Sequence, residues 1–326
     1  MYSVRCKYCG KRAVVSLRYA MLNLCGEHYL NYIISKVEKT IKRYRLVERS
    51  KRLLVAVSGG KDSSVLTHVL WSLKSKLDLE IVLFHLHLGL GEYSNKQERA
   101  VRELASLLAA RPLIVVYARE ILPGDGIPEL ALKVGRSTCS VCGAVKRYLM
   151  NVAAMAVRAD AIATGHNTDD ILAYFLKNLV FGGEEYSLKL TPRTEGLDGL
   201  AIARARPLYE VYERETLLYA ILSKIPFVHE ECPFRPERSI EEVNKDYLNR
   251  LEERAPGSKL RLARRFVSMV TGSESTIGEV LACRYCGMPS RSGVCTFCRL
   301  TSRVYGEPLG PKAVDIIKAK ILESKT

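Results

Sequence analysis

Apolar residues along this chain fall into two rhythms. Short, mostly apolar runs occur at residues 53–57, 80–86, 113–117 and 161–164, as expected of strands buried on both faces of a sheet. Other apolar positions recur at helical spacing. Val65, Leu66, Val69, Leu70 and Leu73 follow the first run, and residues 95–109 form an amphipathic pattern after the second. Strands alternating with helices predict a doubly wound parallel α/β sheet, which binds ligands beyond the carboxyl ends of its strands. A further helix is predicted over 30–44, with Leu30, Ile33, Ile34, Val37 and Ile41 on its apolar face. Lys36, Lys39, Lys42 and Arg43 fall opposite and make a basic face suited to phosphate contacts. Residues 121–134 carry the least information. No apolar run reaches the roughly 18 residues of a membrane span. No apolar signal core surrounds Arg5-Cys6-Lys7, so a cytoplasmic protein without a membrane partner is expected.

Composition changes this picture mainly at the ends. The 326 residues are 48% hydrophobic and 26% charged, which suits a globular protein of one large or two ordinary domains. The net charge of +15 is uneven: residues 1–52 hold 13 Lys and Arg against 3 Asp and Glu, and residues 254–326 hold 13 against 5. The stretch between them holds 24 against 27. Basic ends around a near-neutral centre fit modules that grip a polyanion around a catalytic core, although solvated lysine-rich ends would give the same balance. Gln97 is the only glutamine, a composition that leans towards a thermophile.

The ten cysteines form three groups. Cys6, Cys9, Cys25 and His28 are two chelating pairs separated by a loop, and so are Cys283, Cys286, Cys295 and Cys298. Each set supplies four ligands for a closed tetrahedral zinc site, and Gly10, Gly26 and Gly287 provide knuckle positions. A cytoplasmic chain disfavours disulfides as the alternative. Cys139, Cys142 and Cys232 remain, and three thiols do not close a zinc site. They could hold a four-iron cluster with one iron open. Alternatively two could form a redox pair while one carries a persulfide, or all three could be buried structural thiols.

Ser58-Gly59-Gly60-Lys61-Asp62-Ser63 joins the first strand to the first helix, with Ser64 next. Backbone N–H groups at such a helix start point at a bound anion, and the glycines let phosphate approach closely. The spacing is not the Walker pattern, which argues against cleavage at a γ-phosphate. The fourth strand runs into Gly165-His166-Asn167-Thr168-Asp169-Asp170, and the second ends at His85-Leu86-His87.

The Ser-Gly-Gly-Lys-Asp-Ser loop resembles the PP-loop of N-type ATP pyrophosphatases. With Cys139-x2-Cys142-Gly143, the Gly-His-Asn-x-Asp-Asp motif, Arg206-Pro207-Leu208, Glu231-Cys232-Pro233-Phe234 and both terminal cysteine groups, the chain resembles the tRNA 2-thiouridine synthetases with two zinc fingers, nearly end to end. The division expected is a zinc finger (1–30), a basic helical linker (31–52), a catalytic domain (53–255) and a helix with a zinc ribbon (256–326).

The resemblance implies adenylation of a uridine C2 oxygen by ATP, then replacement of that oxygen by sulfur. It places ATP against Ser58 to Ser64, His85 to His87 and Gly165 to Asn167, and makes Asp62, Asp169 and Asp170 candidates for magnesium. Asp169 or Asp170 could instead cap the helix that follows. A family lysine maps to Lys146, acting with Asp170. A 4Fe-4S cluster on Cys139, Cys142 and Cys232 would deliver sulfide from a ubiquitin-like thiocarboxylated carrier protein. A homodimer is also implied. The T-loop uridine is the expected target, on the thermophile-like composition, with the wobble uridine as the alternative. The rival readings are an amine-ligating PP-loop enzyme and a zinc-ribbon RNA-binding protein without catalysis.

Overall fold

A computed structural model of the chain describes residues 4–47, 52–182, 187–270 and 280–324. Residues 48–51 of the expected basic linker lie outside the described residues. A short antiparallel ribbon, β1 (Val15–Leu17) and β2 (Leu22–Leu24), precedes the central sheet. That sheet consists of β3 (Arg52–Ala56), β4 (Glu80–His87), β5 (Leu113–Tyr117), β6 (Ala161–Ala163), β7 (Arg193–Thr194) and β8 (Ala203–Ala205). Its order is β5-β4-β3-β6-β8-β7, and every pairing is parallel except that of the edge strand β7. The chain runs outward from β3 to β5 and then returns to the other side of β3 as β6. The loops after β3 and β6 therefore part around a crevice, where open α/β sheets bind ligands.

Strand side chains alternate between two cores. Leu53, Val55, Leu83 and Ala163 face one, covered by α1 (Gly26–Arg43), α2 (Lys61–Leu73), α3 (Glu92–Leu107) and α8 (Glu213–Ser223). Leu54, Phe84 and Ile162 face the other, covered by α4 (Ala118–Ile121), α5 (Ile127–Val134), α6 (Thr138–Ala156), α11 (Thr296–Tyr305) and α12 (Gly310–Glu323). A smaller core joins α7 (Thr168–Phe181), α9 (Ile240–Arg254) and α10 (Ser258–Val270) through Phe175, Leu248 and Phe266. Among the described residues, no helix is long and apolar enough to cross a membrane.

The weakly patterned residues 121–134 contain α5, which carries Pro128 in its first turn and stops at Gly135 with φ of 72°. Helix α1 begins earlier than its pattern suggests, because Cys25 is its N-cap. The basic face expected on this helix needs correction at one residue. Lys36 is buried, and its Nζ donates to Glu215 Oε2 at 2.7 Å and to the Tyr19 hydroxyl at 2.7 Å. Lys42 pairs with Glu38, and Arg43 pairs with Glu210. Only Lys36 turns inward, and Lys42 and Arg43 keep exposed side chains beside their partners. Lys39 stays exposed.

Candidate active site

The loop between β3 and α2 is drawn tight by its own serines. Ser58 N–H donates to Ser63 Oγ at 3.0 Å, and Ser63 Oγ donates to Gly60 O at 2.9 Å. Gly59 has φ of 86°, and a Cβ there would lie 2.6 Å from Gln97 O. Only glycine fits so close to the backbone of α3. A Cβ on Gly165 would lie 2.9 Å from Ser63 N, so the loop after β6 packs directly on the start of α2. Gly60 also bridges to Val228, whose N–H donates to Gly59 O at 2.9 Å. The motifs after β3 and β6 are thus in contact, with the free N–H groups of α2 beside them.

Charges alternate across this crevice. Lys61 Nζ lies 2.7 Å from Asp62 Oδ2 and 2.9 Å from Glu213 Oε1. Lys245 Nζ lies 2.9 Å from Glu213 Oε2 and 2.6 Å from Asp170 Oδ1. Burial alone would raise the Glu213 carboxyl, but Lys61 and Lys245 overcome it and hold it down at about 2. Asp62 moves the other way: burial raises it, Asp170 adds to that, and Lys61 opposes. Asp62 Oδ1 also accepts from Asn167 and Thr216.

The two acids after Asn167 have different tasks. Asn167 caps α7, and Asp170 Oδ2 accepts from the Asn167 N–H at 3.2 Å, closing a capping box. Asp169 is buried with both oxygens taken, by Lys259 Nζ at 2.6 Å and by the Glu213 N–H at 2.9 Å. His85 Nδ1 lies 2.8 Å from Val57 O, and burial lowers its pKa to about 4. Its Nε2 and the Ser64 hydroxyl are buried without a hydrogen-bond partner among the described residues. His87 Nε2 is 3.1 Å from Asn95 Oδ1, and exposed His166 packs on Thr164 Oγ1 at 2.9 Å.

Cys139 and Cys142 lie in the first turns of α6, and Cys232 lies in the segment that follows the Val228 bridge. Cys139 Sγ donates to Phe234 O at 3.1 Å. Burial raises the Cys142 thiol, Cys232 and Cys139 push the same way, and Lys146 pulls against them. Tyr93, in the first turn of α3, is pushed up to about 12 by burial and by Cys232 and Cys142. Gln97 donates to the Tyr93 hydroxyl at 2.9 Å, and its backbone abuts Gly59. The start of α3 thus abuts the anion loop through Gln97, while its Tyr93 senses the charge of the thiols.

The two terminal groups are far tighter. The four ligand atoms of Cys6, Cys9, Cys25 and His28 lie within 4.8 Å of one another, as do those of Cys283, Cys286, Cys295 and Cys298. Cys9 and Cys25 sulfurs are 3.7 Å apart, and Cys286 is 3.6 Å from Cys295 and 3.5 Å from Cys298. A tetrahedral ion with zinc–sulfur bonds of about 2.3 Å needs sulfurs about 3.8 Å apart, so both sets fit zinc. The three central thiols do not meet that spacing, since among the described residues only the two terminal groups do.

The chain matches the family model of a PP-loop domain over residues 30–233, and that of the 2-thiouridine synthetase TtuA N-terminal LIM domain over residues 5–30. It is 38% identical to the tRNA-5-methyluridine(54) 2-sulfurtransferase of Pyrococcus horikoshii, across 94% of this chain and 100% of that protein. The chain belongs to the PP-loop tRNA 2-thiouridine synthetase family. A relative of the same name from Thermus thermophilus is 40% identical across 92% of each chain. The U34-tRNA thiolase NcsA from Methanococcus maripaludis, solved with its [4Fe-4S] cluster, shares the fold with a TM-score of 0.76 at 23% identity, over 93% of this chain and 96% of that one.

Several site residues of this family member lie outside the motifs. Glu213, Lys245, Lys259 and Tyr93 sit on helices with ordinary surface-like patterns, and only the fold carries them into the crevice. Lys245 occupies a stretch of α9 rich in charges, Asn244-Lys245-Asp246, that gives no sign of a buried role. The sole glutamine was the one available signal: Gln97 proves to hold Tyr93 and to pack on Gly59.

Proposed function

We propose that this chain is an ATP-dependent tRNA 2-sulfurtransferase acting on 5-methyluridine at position 54. The support is the segment that carries Cys232, which pairs with the anion-binding loop at Gly60 through Val228 and accepts from Cys139 at the Phe234 carbonyl. The near full-length relatives that carry this activity in their names favour position 54.

The uridine C2 carbonyl is a poor electrophile. Adenylating its oxygen with release of pyrophosphate makes AMP the leaving group when sulfide attacks C2. The N–H groups from Gly59 to Ser63 cradle the phosphates, with Ser58 and Ser64 at hand. Lys61 exchanges Glu213 for phosphate oxygen and offsets the charge that develops there. Asp62 and Asp170 offer carboxylates to magnesium. Asp169, only 1% exposed and paired with the similarly buried Lys259, instead fixes α7 and α10 around the loop. His85, His87 and the loop Gly165 to Asn167 line the adenosine side. Lys146 and Asp170 face the uridine and its adenylate. Cys139, Cys142 and Cys232 would hold a 4Fe-4S cluster, which supplies an open iron for sulfide from a ubiquitin-like thiocarboxylated carrier. The two terminal sites hold zinc and shape the surfaces that meet tRNA.

The test is anaerobic incubation of zinc- and iron-loaded protein with sulfur-free tRNA bearing 5-methyluridine 54, ATP and sulfide. Nuclease digestion and mass spectrometry then locate the sulfur. Thiolation at position 54 with one AMP per sulfur is the expected result. Sulfur at position 34 would overturn the target, and none at either position would overturn the enzyme class.

A further inference from the structure

Arg204 stands where the sheet calls for an apolar side chain. Leu54, Ile162 and Arg204 are register partners on adjacent strands, on the face that packs against α6. Leu54 and Ile162 are fully buried in that core. Arg204, whose register partner on the edge strand is Thr194, lines a groove of about 250 Å3 between the sheet, α6 and the C-terminal cysteine module. Arg147 of α6 lines the same groove. Its guanidinium folds back over Gly143, where a Cβ would lie 3.1 Å from Nη1. Gly143 directly follows Cys142, so this charge lies beside the thiols.

Neither guanidinium has an ion-pair or hydrogen-bond partner among the described residues, and no carboxylate lines the groove. Arg206 shows the contrast, donating to Thr191 O, Lys189 O and Thr194 Oγ1. Burial lowers the Arg204 pKa, and the charge of Arg147 adds to it. The walls are nevertheless fixed. Asn151 donates to Leu200 O at 2.9 Å and accepts from the Ile202 N–H at 3.0 Å, and Tyr148 stacks on Phe297 at 4.2 Å. A half-buried guanidinium and an exposed one that line the same groove without a counter-charge form an anion receptor.

We propose that Arg147 and Arg204 form a phosphodiester subsite that seats the tRNA backbone beside the nucleotide being thiolated. This rests on the tRNA-thiolation reading above. A polyanion suits the groove better than a protein carboxylate because of its other wall. Residues 280–306 of the C-terminal module contain four arginines and no acidic residue, and Arg284, Arg291 and Arg299 are exposed. Positive charge therefore continues outward from the groove, as a bound strand requires.

Arginine-specific labelling with phenylglyoxal, read by peptide mass spectrometry, tests this on the metal-loaded full chain. Bound tRNA is expected to slow labelling of Arg147 and Arg204 several-fold, whereas ATP alone leaves both rates unchanged. In tRNA titrations, Arg204→Gln should weaken binding and reduce the slope of log affinity against log salt by about 1. Arg204→Lys, which keeps the charge, should retain the wild-type slope, and a full zinc content verifies the fold of both variants. If both arginines label at the free rate with tRNA bound, the subsite is wrong, while wild-type thiolation of position 54 would leave the enzymatic reading intact. An unchanged salt slope in Arg204→Gln would also overturn the subsite. So would protection by a carrier-protein tail peptide ending in a carboxylate but not by tRNA. A wild-type protein that neither binds nor thiolates tRNA brings down both.

Discussion

Lys259 and Asp169 form the most deeply buried ion pair among the described residues, 2.6 Å apart with side chains 2% and 1% exposed. The pair ties α10 to the start of α7, directly behind the crevice. Removing one partner leaves an uncompensated buried charge. Lys259→Met is therefore expected to cost about 3–5 kcal/mol in stability. Adding Asp169→Asn should recover part of the loss. Urea unfolding of the two variants beside wild type checks this, and equal losses in both would contradict it.

Gly165 presses on backbone, which cannot yield as a side chain could. A Cβ there would sit 2.9 Å from Ser63 N and 3.0 Å from the Asp62 carbonyl carbon. Gly165→Ala should push the loop after β6 away from the start of α2 and weaken ATP binding at least tenfold, an order-of-magnitude expectation for a shifted binding loop. Calorimetric titration with ATP gives the readout, and retention of both zinc ions shows that the fold survives.

Glu213 gives a signed pH dependence. Its folded carboxyl is held at about 2, below the ordinary 4.5, so its contribution to stability is complete above about 4.5 and is lost as the pH falls towards 2. Glu213→Gln should melt below wild type at pH 7. The gap should shrink steadily from about 4.5 downwards and close near 2. Melting temperatures across that range would show a constant gap if Glu213 were not paired as described.

The cysteine groups should separate by metal. Cys139→Ala, Cys142→Ala and Cys232→Ala are each expected to abolish thiolation and reduce iron while leaving two zinc ions per chain. Cys298→Ala should instead lose one zinc and destabilise the catalytic domain, because Cys298 is buried in the core that α6 shares with the C-terminal module. Metal analysis with a thiolation assay distinguishes the two patterns. A fully active variant at any of the three central positions would contradict the three-thiol assignment.

Much of this fold is legible in the sequence because its strands are buried on both faces. Apolar runs such as 113–117 leave little choice of element, and the glycine loop can only follow a strand and open a helix. The zinc ligands are legible because spacing alone brings them together. The remainder of the site depends on distant partners. Lys36 reads as part of a solvated helix face, but Glu215, which turns it inward, lies far along the chain. Lys245 and Glu213 look like surface charges until α8 and α9 converge on Lys61. Arg204 follows an alanine and precedes another, and only the register with Ile162 reveals how unusual its place is.

The second core of the sheet also sets an order of events in synthesis. Ala313, Ile317 and Ile321 of α12 pack in the same cluster as Leu54, Ile162 and Leu149. The opposite face, built on Val37, Val65 and Tyr219, uses residues that leave the ribosome much earlier. A nascent chain can therefore close one side of its sheet while the other stays open. The side that bears Cys139 and Cys142 is finished only when α12 and the last four cysteines have emerged to fill the core that they share with it.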